Sequence, residues 1–258
     1  MQQRRNVDGT FMVADATRQL RHDFFTAGGD DAVWLAGVLA ADGCISTDRK
    51  RWHLAQSGDH GRSLIERARA LTNHHLVVGV HRPQAGRPSH AITAHSPEMV
   101  RDLEDRYGIV PRKTVSYRWP DLPAASRRPF LRGYVDGDGC VGIYPTPQGN
   151  PMLHLSLVGT PDFIDGAMGT IPAAGRRRRI ERCVALAEAR YNGRHAWAAA
   201  TWLYADEHLF RGRKWQVFRR YAALLANDPP RWHRGPQAGG HLPGQLKWQA
   251  GTGDRSLP

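Results

Sequence analysis

From Asp31 onward the chain breaks into short blocks whose apolar positions recur with alternating periods. AVWLAGVLAA (32–41) is an apolar run long enough for a buried helix, with Asp30 or Asp31 available as its N-cap. CIST and WHLAQS then flank a DRKR turn, which predicts a β-hairpin. GRSLIERARALTN places Leu64, Ile65, Ala68 and Leu71 on one helical face. HLVVGVHRP and SHAITAHS read as two strands around QAGR. SPEMVRDLEDRYG reads as a helix with Ser96 as N-cap, Pro97 in its first turn and Gly108 as its stop.

The same order then recurs. After a Pro-rich connector (108–123), SRRPFLRGYVDGDG predicts a helix ending in an acid and a glycine. CVGIY and MLHLSLVG predict a hairpin around PTPQGNP, and TPDFIDGAMGTI a helix capped by Thr160. ERCVALAEARY and HAWAAATWLY read as strands around an NGR turn, and the segment from Ala205 closes with helical character. The chain therefore divides into an N-terminal extension (1–30) with a short helix near 15–25, a first repeat (31–120), a second repeat (121–226) and a Pro/Gly-rich tail (227–258) expected to be disordered.

Single residues reinforce the duplication. Asp42 and Asp138 are 96 residues apart, and Cys44 and Cys140 each follow their acid by two. Only four lysines occur, at 50, 113, 214 and 247. Two of them, Lys113 and Lys214, follow the acids by 71 and 76 residues, each in an Arg-Lys pair.

Composition narrows the class. With 36 basic against 24 acidic residues, the net charge is +12, which points to an acidic partner, nucleic acid first. No run of 18 apolar residues occurs, and no apolar segment follows the first basic residues, so neither a membrane span nor a secretory leader is expected. Three cysteines without CxxC spacing argue against a disulfide framework or structural zinc and fit an intracellular, cytoplasmic setting. They are expected to begin buried strands. The histidines 74, 75, 81, 90 and 95 match no ligand spacing and read as surface or strand positions. Arg176–Arg179 reads as a solvated loop, and Trp197, Trp202 and Trp215 as core or sheet-face residues.

LAGVLAADG (35–43) and LRGYVDGDG (131–139) resemble the nine-residue motif of the LAGLIDADG homing endonucleases, in the single-chain form with two motifs. PRKT…RRPFLRGYVDGDGCVGI resembles the junction between repeats, and LYADEHLFRGRKW the end of the second; the likeness covers roughly residues 31–226. The resemblance implies an α+β fold of two pseudo-twofold-related αββαββα repeats, with antiparallel saddle-like sheets and a central two-helix interface. Gly37 and Ala41, like Gly133 and Gly137, are four apart, so each pair lines one helical face where backbones can approach closely.

By the same resemblance, Asp42 and Asp138 are catalytic metal ligands, assisted by the Gly43 and Gly139 positions. Lys113 and Lys214 would lie near the scissile phosphates. Two facing carboxylates repel, and a divalent cation, Mg²⁺ or Mn²⁺, would relieve that repulsion. The implied activity is hydrolysis of both strands of double-stranded DNA by a monomer. The second reading is a non-cleaving binder on the same scaffold, an intron RNA maturase or a transcription regulator.

The first motif carries Ala40 where the second carries Asp136, a position expected to serve helix structure. Arg132 is expected to face outward. Gln56 or Ser57, and Gly159 or Thr160 in the second repeat, match a position that contacts water. DNA-reading candidates on the hairpins are Arg49, Lys50, Arg51, His53, Gln56, Arg82, Gln84 and Arg87 in the first repeat. In the second they are Tyr144, Gln148, Asn150, His154, Tyr191, Asn192 and Arg194.

Overall fold

The computed structural model describes residues 20–72, 76–83, 86–206 and 208–227. His74, His75 and Gln84, most of the N-terminal extension and all but the first residue of the tail lie outside them. After a four-residue helix α1 (Phe24–Ala27), the first repeat runs α2 (Gly29–Asp42), β1 (Gly43–Ile45), β2 (Arg51–Ser57), α3 (Gly58–Thr72), β3 (Gly79–His81), β4 (Ser89–His95) and α4 (Pro97–Tyr107). The second runs α5 (Ala124–Asp138), β5 (Cys140–Pro145), β6 (Pro151–Gly159), α6 (Pro161–Thr170), β7 (Arg176–Arg179), β8 (Ala187–Asn192) and α7 (Arg194–Leu203), and adds α8 (Arg213–Asn227). This is the expected α+β architecture. Each repeat carries one antiparallel four-stranded sheet, ordered β1-β2-β4-β3 and β5-β6-β8-β7.

Strand parity decides which side chains reach the core. On β2, Trp52 and Leu54 are buried while Arg51 is exposed; on β6, Leu153, Leu155 and Leu157 are buried. The helices cover these apolar faces and leave the opposite faces open. α4 starts and stops as its sequence predicts. Ser96 accepts from the Met99 N–H, and Gly108 ends the helix in the left-handed region at φ 65°.

The centre of the molecule is the contact between α2 and α5. A Cβ placed on Gly37 would lie 2.0 Å from the Phe130 carbonyl oxygen, and one on Gly133 would lie 1.9 Å from that of Trp34. The contact is reciprocal, since Phe130 follows Trp34 by the same 96 residues that separate the two glycines. A Cβ on Gly137 would meet Ala41 Cβ and Asp42 Oδ2, each at 2.9 Å. No side chain larger than hydrogen fits at these crossing points, so the backbones touch.

Several sequence expectations are corrected. HAWAAATWLY is a helix, not a strand, because Ala196, Ala199, Ala200 and Leu203 bury one 3.6-period face. The strand expected over 181–191 begins only at Ala187, and its partner is the arginine run 176–179, read from sequence as a loop. All four arginines are exposed on that outer strand, where charge blunts an open sheet edge. α2 begins at Gly29 with Gly28 at its cap, so Asp30 and Asp31 lie in the first turn, facing the positive helix pole. Cys44 and Cys140 are exposed rather than buried. Trp197, Trp202 and Trp215 do pack partly buried against the core. No helix among the described residues is long and apolar enough to cross a membrane.

The glycine contact yields a discriminating prediction. Gly37→Ala and Gly133→Ala should each destabilise the fold by about 1–3 kcal/mol from overpacking, despite a helix-propensity gain near 1 kcal/mol. Gly169→Ala, with nothing within 4 Å of the new Cβ, should keep or raise stability. Urea unfolding midpoints separate the two outcomes.

Candidate functional site

Because α2 and α5 end side by side, their last residues, Asp42 and Asp138, meet beside the interface. Asp42 is half-buried, and Asp138 keeps more solvent exposure beside it. Burial raises the Asp42 carboxyl above its ordinary value, and the charge of Asp138 raises it further; Gln56, Lys214 and Lys113 oppose the shift. Burial also raises Asp138, with Lys214 opposing. Gln56 Nε2 donates to Asp42 Oδ2 at 2.5 Å. Gln56 shares the parity of Trp52 and Leu54, so it turns inward to the acid and away from the exposed face where it was expected to read DNA.

Both lysines are buried behind the acids, each 7–8% exposed. Lys113 Nζ donates to the Gly43 carbonyl at 2.7 Å. Lys214 Nζ donates to the carbonyls of Val135 (2.8 Å), Asp136 (3.2 Å) and Gly137 (2.6 Å). Helix C-termini leave carbonyls without intrahelical partners and carry a partial negative charge, so an ammonium is held there twice over. Burial lowers both lysines, while Cys44 and Asp42 raise Lys113, and chiefly Asp136 and Asp42 raise Lys214. Arg112, at φ 59°, takes a left-handed turn just before the 3₁₀ segment Lys113–Val115. In the second repeat Lys214 enters on the first turn of α8. The Arg-Lys pairs are thus brought to equivalent places by different local structures.

Sequence reading missed a buried network on α5. Arg132, expected to face outward, is fully buried and pairs with Asp136 at 2.9 Å. Its guanidinium also donates to the Phe210 carbonyl and stacks 4.0 Å over the Tyr204 ring. Trp34 Nε1 crosses the interface to donate to Asp136 Oδ2 at 3.0 Å. Ala36 and Ala40 occupy the matching positions on α2, so this pair has no counterpart in the first half. The i,i+4 spacing of an arginine and an acid was the available signal.

The open faces of the sheets present most of the hairpin candidates. Arg51 and His53 stand beside His95 and Thr93, and His53 Nδ1 lies 2.9 Å from Thr93 Oγ1. His154 Nδ1 lies 2.8 Å from Asn192 Oδ1 on the second sheet, with Tyr144 nearby on β5. Lys50, Gln148 and Asn150 are exposed on hairpin turns, and Arg82 and Arg87 flank β3 and β4. Arg49 is tied to Glu104 at 3.1 Å, and Arg194 is exposed at the start of α7. Tyr191 is corrected: it is 1% exposed, on the core face of β8. Arg176, from the run read as a solvated loop, lines a hollow of about 580 Å³ with Met152, Asn192 and two residues overlooked in the sequence, Arg190 and His195.

The side chains able to hold a metal are the two carboxylates, hard oxygen donors that suit Mg²⁺ or Mn²⁺. Among the described residues no cluster of three or more His, Cys, Asp or Glu is placed to hold one. A cation there would complete its shell with backbone, water or substrate oxygens, and the Gly43 carbonyl already accepts from Lys113.

The fold and this site define a class: two-repeat α+β proteins whose central helices each deliver one acid to the same end of their interface. Solved structures share that fold. The LAGLIDADG homing endonuclease I-GzeII in complex with its DNA target is similar over 76% of this chain and 90% of that one, with TM-score 0.55 and 10% identity. I-LtrWI bound to target DNA (TM-score 0.53) and the meganuclease I-SmaMI bound to uncleaveable DNA (TM-score 0.52) match over the same shares, each at 10% identity. No family model and no curated protein matches the chain.

Two predictions follow from the charges. A carboxyl raised in the folded state binds its proton more tightly there, so its ionisation weakens the fold as pH climbs through that raised value. Asp42→Asn should therefore raise the melting temperature of the metal-free protein at pH 7, with a gain that shrinks as pH falls towards the ordinary value of 3.8. Arg132→Leu should destabilise by about 3–5 kcal/mol at pH 7 by leaving Asp136 buried and unpaired. Adding Asp136→Leu should recover most of that loss in denaturant titrations.

Proposed function

We propose that the chain is a sequence-specific, double-stranded DNA endonuclease that hydrolyses one phosphodiester bond on each strand with a divalent cation. The observation that carries this reading is the convergence of Asp42 and Asp138 at the ends of two touching helices, each with a buried lysine behind it. The fold shared with DNA-bound endonucleases and the net charge of +12 support duplex DNA as the partner.

Asp42 and Asp138 would hold the cation, which would supply Lewis acidity to the phosphate and lower the pKa of a bound water. In hydrolysis the water oxygen bonds to phosphorus and one phosphorus–ester oxygen bond breaks. The leaving oxygen takes up a proton and the attacking water gives one to solvent. Lys113 and Lys214 fix the helix ends and offset the charge that builds on phosphate. Two acids related by a pseudo-twofold suit the two antiparallel strands of a duplex. The outer faces of the sheets would follow the major groove. There His53, His154, Asn192 and Arg51 meet base edges, and the arginines of β7 meet phosphates.

A second reading, a non-cleaving binder of DNA or intron RNA, has one observation in its favour. The Gly43 carbonyl is capped by Lys113 and so offers less to a cation.

Incubation of the full chain with Mg²⁺ and a library of long random duplexes should yield double-strand breaks at one sequence class. EDTA should abolish them. Asp42→Asn or Asp138→Asn should each slow cleavage at least about a hundredfold. Specific binding without any break or nick, unchanged in the double Asn variant, would establish the second reading instead.

A further inference from the structure

The two halves of the acid pair are furnished differently, and strand register shows how. Gly43 pairs with Leu54 across the first hairpin, and Cys44 with His53. Cys140 pairs with Ser156 across the second. Counting along each strand from these pairs, the position of Gln56 in the first half is held by Gly159 in the second. Gln56 places an amide against Asp42. Gly159 has no side chain to place.

The space is nonetheless filled with a polar group. A Cβ on Gly159 would lie 3.2 Å from the hydroxyl of Tyr134 and 2.7 Å from Phe163 Cδ1. Tyr134 stands on α5 one turn before Asp138, so the two share a helical face. Its counterpart on α2, 96 residues earlier, is Val38, one turn before Asp42. In one half the polar atom comes from the strand and the helix offers valine. In the other it comes from the helix and the strand offers glycine.

The phenol is well fixed. Its ring stacks on Phe163 with centroids 4.2 Å apart, and its hydroxyl donates to the Val158 carbonyl at 2.7 Å. With its proton committed to Val158, the phenol oxygen has only lone pairs left for a further hydrogen bond. Burial, then the charges of Asp138 and Asp42, push the phenol upward, so it stays protonated. Asp138, meanwhile, accepts no hydrogen bond from a side chain among the described residues.

We propose that Tyr134 is the positioning residue of the second half-site, its hydroxyl taking the place of the Gln56 amide and reaching Asp138 through one bridging water. The water donates one hydrogen to the phenol oxygen and the other to the carboxylate. The catalytic consequence rests on the endonuclease reading above; the bridging water does not.

The test uses two full-length proteins, wild type and Tyr134→Phe. Crystals of the metal-free proteins should show a water within hydrogen-bond distance of Tyr134 Oη and Asp138 in wild type. It should be absent in Tyr134→Phe, whose ring still stacks on Phe163. On an end-labelled target recovered by cleavage selection, Tyr134→Phe should slow one strand about tenfold and leave the other within twofold. Equal slowing of both strands, or no slowing, would overturn the proposal, as would a wild-type crystal in which no water joins the two groups. If wild type cuts no target, the endonuclease reading falls and the crystals alone decide the role of Tyr134.

Discussion

Everything at the centre of this molecule depends on two helices touching backbone to backbone. Gly37 against the Phe130 carbonyl and Gly133 against the Trp34 carbonyl set the separation of α2 and α5. That separation fixes where the helices end, and their ends carry the acids. A wider crossing would leave Asp42 and Asp138 as two unrelated helix termini. The close packing therefore does chemistry indirectly, by converting two ordinary Asp-Gly turns into one paired site.

Bringing carboxylates together is unfavourable, and the surroundings offset it from several directions. Burial and mutual repulsion push Asp42 upward, while a short hydrogen bond from Gln56 and two ammonium groups push back. The lysines do this while also satisfying carbonyls at the ends of the helices. One side chain thus serves the backbone and the site at once, which explains why it can sit buried with its charge. The cost left over is held by the fold, as strained or repulsive features at functional sites generally are.

Much of this was legible in the chain. The repeat order, the 96-residue offset, the small residues at i,i+4 and the matched Arg-Lys pairs marked the duplication, and the resemblance carried by the two nine-residue motifs implied the helix interface with its acids and lysines. The misreadings have physical reasons. HAWAAATWLY mixes β-prone tryptophan and threonine with an alanine stripe, and tertiary burial of the alanines chose helix. An arginine run has no apolar alternation, so its pairing as an outer strand left no sequence signal. Tyr191 and Gln56 turned on parity, which a one-residue uncertainty in strand position reverses. Arg132 looked like a surface residue because its partners, Trp34, Tyr204 and Phe210, arrive from distant parts of the chain.

The buried Arg132–Asp136 pair on α5 also fixes what the two halves are to each other. Asp136 is held by Arg132 from its own helix and by the Trp34 indole from the other. A symmetric dimer built from two second halves would present Phe130 where Trp34 now stands, and phenylalanine has no N–H to donate. Each of its two buried acids would lose a donor. A dimer of two first halves would carry only Ala36 and Ala40 at the places of Arg132 and Asp136, without the ion pair. The duplicated halves have therefore become lock and key to one another, and joining them in one chain guarantees that each meets the other rather than a copy of itself.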